Sequence, residues 1–207
     1  MESFTRVEGI AAPMLVINID TDQIIPARFL GGTDAKGYGA ALFANARFLA
    51  DGSPNPEFVL NRPPYDRAQV LLADRNFGCG SSRERAPKAL REFGIRAILA
   101  PSFGGIFYNN CFRNGLLPVE LPIVEVRAIA DEVEAAQGEA TVAVDLESQC
   151  VTAPSGRRIP FVAPVTLRGM LLAGVDEIGL TLAARDDIER FRATDRVRRP
   201  WAYTAAH

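Results

Sequence analysis

Histidine is all but missing from this chain: of 207 residues only His207, the last, is one. Imidazole is the side chain whose unperturbed pKa lies near neutrality, so its absence excludes Ser–His–Asp triads, histidine proton shuttles and histidine-built metal centres. Cysteine is scarce as well. Cys79, Cys111 and Cys150 are far apart, cannot pair fully, and show no CxxC or Cys/His spacing. This points to a reducing compartment and argues against zinc or an iron–sulfur cluster held by this chain alone. Charge of one sign is lacking too: 23 Lys and Arg face 25 Asp and Glu, a net charge of −2. No field invites nucleic acid or an anionic membrane, and the cluster Arg196, Arg198, Arg199 reads as a solvated tail. No apolar run approaches the roughly 20 residues that span a bilayer. Met1 to Gly9 has neither the basic start nor the apolar core of a secretory signal. The expectation is a soluble, cytoplasmic protein with no nucleic-acid or membrane partner.

What is present is enough apolar matter for a substantial core: 48% of the residues are hydrophobic. Val70 to Ala73, Ala97 to Ala100 and Leu116 to Leu121 read as buried strands. Helices expected from about Arg83 to Phe93 and from Phe107 to Phe112 separate them. That alternation predicts α/β packing with some parallel pairing. Ahead of it, Ala11 to Ile19 reads as a further buried strand that leads into the turn residues Asp20-Thr21-Asp22-Gln23. Asp51 to Pro64, with Pro54, Pro56, Pro63 and Pro64, reads as an irregular connection. Gly31 to Gly39 is a glycine-rich loop, either an ordinary surface connection or a substrate lid. After Leu121 the rhythm changes to a helix over Glu125 to Ala136, three short β elements between Thr141 and Val162, a helix over Val165 to Ala173 closed by Gly174, and a charged helix over Arg185 to Arg192. One domain is expected over residues 1–207, with a helical C-terminal portion at about 165–195 and a flexible tail at 196–207.

The stretch Asn76-Phe77-Gly78-Cys79-Gly80-Ser81-Ser82-Arg83-Glu84-Arg85-Ala86-Pro87 concentrates the chemistry. Ser81-x-x-Glu84 has the pattern of a capping box at a helix start, with Pro87 tolerated only inside the first turn. Ser102 offers a second cap further on. A helix start presents unpaired N–H groups and partial positive charge. Two glycines permit close approach, two hydroxyls add donors, and a guanidinium offers a fork for a carboxylate. Such a set can bind an anion. If the donors stabilise an alkoxide, it can also make one serine a base. The plainer alternative is a strand-to-helix connection in which Cys79 packs and Asp20 and Asp22 serve as turn or cap residues.

The same residues resemble a known family, the small subunits of 3-isopropylmalate dehydratase within the aconitase superfamily. The likeness runs in order through Asp20 to Pro26, Asn76 to Glu84, Ala100 to Phe103, Ile106 to Tyr108, Leu116 to Val119 and Asp176 to Leu182. It implies an α/β fold of the β/β/α swivelling type, as in the last domain of aconitase. It implies a large-subunit partner that holds a 4Fe–4S cluster, with no cofactor or metal bound by this chain, and a small dicarboxylate substrate. The implied reaction is a dehydration and rehydration that interconverts 2-isopropylmalate and 3-isopropylmalate in leucine biosynthesis. In it the cluster iron is a Lewis acid on the departing hydroxyl. By motif position Ser81 is the implied base. Ser82, Arg83, Asp22 and Thr21 are implied substrate-binding residues, and Leu30, Gly31 and Gly32 belong to the implied substrate-sensing loop.

Two positions depart from the family pattern: Arg85 stands where relatives usually have His, and Lys88 where they have Trp. The first removes a titrating group and adds positive potential beside the site. The second trades packing surface for charge, so a contact there, with the large subunit for instance, must differ. These departures leave two alternatives open. One is a paralogue acting on another 2-hydroxy diacid of the 2-methylmalate/citraconate type. The other is a non-catalytic swivelling module that keeps an anion pocket.

Overall fold

A computed structural model describes residues 2–29, 31, 37–137 and 139–203, apart from the side chain of Glu177. The chain divides into two compact units, Met1–Gly174 and Val175–His207. The first is built on a seven-stranded sheet. Its elements are β1 (Arg6–Met14), α1 (Thr21–Ile24), α2 (Ala44–Arg47), β2 (Val70–Ala73), α3 (Arg85–Phe93), β3 (Ala97–Ala100), α4 (Gly105–Arg113), β4 (Leu117–Glu120), α5 (Ile123–Ala135), β5 (Thr141–Asp145), β6 (Cys150–Thr152), β7 (Arg158–Pro160) and α6 (Val165–Ala173). The strand order is β4-β3-β2-β1-β5-β6-β7. β1 through β4 run parallel, and β5, β6 and β7 continue the sheet antiparallel.

The parallel half follows from composition. β2 (VLLA) and β3 (AILA) are apolar at every position and buried at every position, as strands covered on both faces must be. Alternate side chains feed two cores. Val70, Leu72, Leu99 and Val119 meet the Val126, Ile129 and Val133 face of α5. Leu71, Ala73, Ile98 and Ala100 share the other core with Ala86, Ala89 and Leu90 of α3, Ile24 of α1 and Leu42 and Phe43. β1 is long enough for both halves of the sheet: Arg6 to Ile10 pair antiparallel with β5, and Ala11 to Met14 pair parallel with β2.

Several expected boundaries move. The first strand is Arg6–Met14 rather than Ala11 to Ile19, because Met14 is paired with Ala73, where β2 stops. Val16 and Ile17 beyond it are exposed. α3 begins at Arg85, and its cap position, Glu84, is itself helical with no side-chain cap, so Ser81 and Glu84 do not form a capping box. The box forms on α1 instead. Asp20 Oδ1 accepts from the N–H groups of Asp22 (2.9 Å) and Gln23 (2.7 Å), while Gln23 Oε1 accepts from the Asp20 N–H (2.9 Å). The late start of α3 puts Pro87 in its first turn, where a missing N–H loses no helical bond. Ser102 does not cap α4, which starts at Gly105 behind Gly104. Its hydroxyl accepts from the Asn76 N–H instead (2.9 Å). α6 spans the expected residues and closes on left-handed Gly174.

The second unit consists of α7 (Glu177–Ala183), within the stretch expected to be helical, and α8 (Arg185–Arg198), six residues longer than expected, with a short 3-10 turn at Pro200–Ala202. Asp176 caps α7 by accepting from the Gly179 N–H at 2.7 Å. The terminal arginines Arg196, Arg198 and Arg199 are exposed, as expected, but two of them make contacts within this unit. Arg199 donates twice to the Asp195 carboxylate (2.7 and 2.8 Å), the Tyr203 hydroxyl donates to it at 2.8 Å, and Arg196 lies 5.3 Å from the Tyr203 ring. Residues 204–207 lie outside the described residues. Among the described residues no helix is long and apolar enough to cross a membrane.

Gly78 shows how tightly the first unit closes. It sits at φ +73°, and a Cβ there would lie 2.2 Å from Cγ of Phe107. Gly78→Ala is expected to destabilise the first unit by about 2–3 kcal/mol or more, from overpacking together with an unfavourable φ. Urea unfolding of wild type and variant checks this through the midpoint at unchanged slope.

Candidate active site

The loops that leave β1, β2 and β3 do not separate where the strands end. Gly78 N donates to Ile19 O (2.7 Å) and Thr21 N to Cys79 O (2.9 Å), extending the β1–β2 pairing through a parallel bridge at Asp20 and Cys79. Phe77 N donates to Ser102 O (3.1 Å) and Gly104 N to Phe77 O (2.9 Å), extending β2–β3 in the same way. Asn18 and Asn76 both turn through left-handed conformations (φ 57° and 60°), and Asn76 Nδ2 donates to Asn18 Oδ1 at 2.8 Å. Asparagine tolerates that conformation better than most residues. Beneath the loops, Phe77, Phe103 and Phe107 pack with centroids 5.5–6.5 Å apart. The result is a braced platform at the carboxyl ends of parallel strands, the place where open α/β sheets bind ligands.

On this platform the structure brings together Thr21, Asp22, Ser81 and Arg83. Thr21 is 2% exposed, and its hydroxyl donates to Ser81 O at 2.8 Å. Its side chain is thus turned to the Ser81 backbone and leaves little surface open. Asp22 Oδ1 accepts from the Ala27 N–H at 3.0 Å and from Arg83 Nη1, with which it forms an ion pair. The same Arg83 nitrogen donates to Ile25 O at 3.0 Å. The guanidinium is thus docked against α1 by one nitrogen. Its other nitrogens make no hydrogen bond among the described residues. The Arg83 hydrogen bond, with the Ala27 N–H second, holds the Asp22 carboxyl below its ordinary value.

Ser81 and Ser82 are exposed, and among the described residues neither hydroxyl has a hydrogen-bond partner. The expected helix start at these serines does not form, since α3 begins only at Arg85. The cation brought to this loop is Arg83 rather than a helix dipole. Both glycines turn at positive φ, as expected; Gly78 makes room for Phe107, while a Cβ at Gly80 would meet its nearest atom, Asp20 Cβ, only at 3.5 Å. Of the expected sensing loop, Gly31 is exposed, whereas Leu30 and Gly32 lie outside the described residues.

Sequence reasoning missed the fixed end of that loop. Glu92 Oε2 accepts from the N–H groups of Tyr38 (2.5 Å) and Gly39 (3.1 Å). Arg85 and Lys88, the two departures from the family pattern, flank the Tyr38 ring at 5.8 and 5.1 Å within this chain. Residues 85, 88 and 92 share one face of a helix, and that spacing was the available signal. Among the described residues no group of three or more His, Cys, Asp or Glu could hold a metal. Cys111 and Cys150 are buried, and burial pushes the Cys111 thiol well up. This donor set does not fit an iron–sulfur cluster.

Comparison with known proteins matches residues 1–123 to the aconitase C-terminal domain and residues 127–162 to LeuD_N. The chain is 54% identical to a 3-isopropylmalate dehydratase small subunit of Cupriavidus necator, over 98% of this chain and 99% of that one. It is 51% identical to that of Dinoroseobacter shibae, over 97% and 100%. A crystal structure of 3-isopropylmalate dehydratase from Methanocaldococcus jannaschii superposes with a TM-score of 0.63 at 26% identity, covering 90% of this chain and 99% of that one.

Because the folded-state pKa of Asp22 is lowered, its pairing with Arg83 contributes stability at neutral pH that is lost as pH falls through the folded value. Arg83→Gln is expected to return the Asp22 midpoint toward the ordinary aspartate range. The stability gap between wild type and variant should shrink below about pH 4. Carboxyl-detected NMR titration together with urea unfolding at several pH values checks both.

Proposed function

The chain belongs to the family of 3-isopropylmalate dehydratase small subunits in the aconitase superfamily, and we propose that it supplies the base and the carboxylate-binding side of that hydro-lyase's active site. The reaction is the interconversion of 2-isopropylmalate and 3-isopropylmalate by loss and return of water, in leucine biosynthesis. The observation that carries this reading is the assembly of Asp22, Arg83 and Ser81 at the carboxyl ends of β1 and β2, with the Ser81 hydroxyl exposed and unpartnered.

Each residue then has a task. Ser81 accepts the proton from the carbon beside a substrate carboxylate and returns it during rehydration. Thr21 holds the Ser81 carbonyl and so fixes where the serine stands. Arg83, held by Asp22 and Ile25 O, offers its remaining N–H groups to a substrate carboxylate, and its charge opposes the negative charge that builds up as the proton leaves. Asp22 stays ionised and sets the orientation of the guanidinium. Ser82 adds a second hydroxyl beside the base. The 4Fe–4S cluster belongs in this reading to a large subunit; among the described residues no group of three or more His, Cys, Asp or Glu could hold a metal. No step above runs through it.

Reconstitution with a cluster-loaded large subunit tests the assignment. Ser81→Ala is expected to lower kcat by about 10²–10⁴-fold with little change in KM, as the loss of a general base does. Arg83→Lys is expected to raise KM, because an ammonium cannot reproduce the planar fork. Full turnover by Ser81→Ala overturns the base. A wild-type complex that dehydrates 2-methylmalate but not isopropylmalate overturns the substrate.

A further inference from the structure

On the outer side of α3 lies a cavity of about 650 Å³, lined by Arg85, Lys88, Arg91 and Arg96 together with Glu2, Glu84 and Glu92. Two of its cations converge on one carboxylate: Glu2 Oε2 accepts from Arg96 Nη1 at 2.9 Å and from Arg91 Nη2 at 3.2 Å. The Arg91 and Arg96 side chains are mostly covered, at 29% and 25% exposed, whereas the Glu2 side chain is 65% exposed. Arg96 is set rigidly at the foot of β3, its N–H bonded to Gln69 O at 2.8 Å and its guanidinium 5.7 Å from the Phe4 ring. Arg91 has room because residue 115 is glycine, where a Cβ would lie 3.2 Å from its Cζ. Arg96 Nε is buried and, among the described residues, has no acceptor. A desolvated donor left unpaired is costly and rare, and it points to an acceptor still to come.

We propose that this cavity is an anion site for a short aliphatic dicarboxylate, one carboxylate on Arg91 and Arg96 and the other toward Lys88 and Arg85, with Glu2 as its built-in competitor. The cations have the spacing for two-point capture. On one helix Lys88 precedes Arg91 by about 4.5 Å of rise and Arg85 by about 9 Å. Glu92 is held by the Tyr38 and Gly39 N–H groups and lies 4.0 Å from Lys88 Nζ, and Glu84 stands at the start of α3 with no side-chain cap bond. Glu2 is the acid free to leave. It lies ahead of β1 outside regular structure, and its nearest buried anchor is Phe4, whose N–H donates to Leu171 O. Once it withdraws, four cations face two acids. The site already stabilises a carboxylate: Arg96 first, then Arg91, holds the Glu2 carboxyl below its ordinary value. This site shares no side chain with Asp22, Ser81 and Arg83, and it goes beyond the proposed reaction.

Succinate titrated into the full chain, followed by calorimetry and by the side-chain amide NMR signal of Asn114, which lines the cavity, tests the proposal. Saturable binding that moves the Asn114 signal is expected, tighter for succinate and glutarate than for acetate. Glu2→Gln is expected to tighten it about tenfold, as removing a competitor that occupies most of the population does. Arg91→Gln and Arg96→Gln should each weaken it more than tenfold, while Arg83→Gln leaves it unchanged. No saturable binding to the Glu2→Gln chain overturns the site. Loss of binding in Arg83→Gln with none in Arg91→Gln overturns it as well, by locating the succinate at the proposed active site. Acetate binding as tightly as succinate overturns the two-point capture. Should Arg96→Gln not fold, Glu2→Gln and Arg91→Gln decide the matter alone.

Discussion

The backbone pairing that continues past the ends of β1, β2 and β3 is the constraint on which the candidate site depends. Loops after parallel strands ordinarily diverge, and residues on them are placed loosely. Here five N–H groups, those of Asn18, Thr21, Phe77, Gly78 and Gly104, each donate to a carbonyl on a neighbouring loop. One such bond is worth only about 1 kcal/mol net, but together they remove the freedom of three loops at once. The aromatic group of Phe77, Phe103 and Phe107 adds about 0.5–1.5 kcal/mol per pair beyond the area it buries. Gly78 and Gly104 make the approach possible. A Cβ at Gly104 would stand 2.4 Å from Gly78 O, so the two loops touch backbone to backbone.

Charge plays the narrower part of orientation. The Asp22–Arg83 pair is more than half exposed on the aspartate side, where ion pairs add little stability. Its effect is to turn a long side chain, held by one nitrogen against α1, into a fixed donor set. A chain without a usable histidine needs such a device. In the proposed reaction, proton transfer and anion binding rest on a hydroxyl, a guanidinium and the geometry that holds them.

Much of this was legible in the residues, and what was not had one cause. The apolar runs VLLA and AILA read correctly as strands, and Gly94 and Gly174 end their helices as expected. Local patterns failed where two candidates competed. Ser81-x-x-Glu84 and Asp20-x-x-Gln23 both spell a capping box, and only the second forms, because Thr21 draws the Ser81 carbonyl away from any helix. α8 runs past Arg192 because Asp195 and Arg199, four apart, pair on one face. Asp22, Ser81 and Arg83 were each singled out. Their contact across some sixty residues, and the hold of Glu92 on Tyr38 across 54, lie beyond any local pattern.

β1 pairs parallel at one end and antiparallel at the other. A strand paired on one side can be displaced by a single residue at the cost of turning its faces over. A strand gripped by two ladders of opposite sense has no such escape, because any shift breaks both registers together. The chain from Arg6 to Asp22 therefore behaves as a ruler of fixed length between β5 and Ser81. Insertions and deletions can accumulate in the exposed turn at residues 51–54, but a single added or lost residue in this ruler would misplace Thr21 against Ser81 and Asp22 against Arg83.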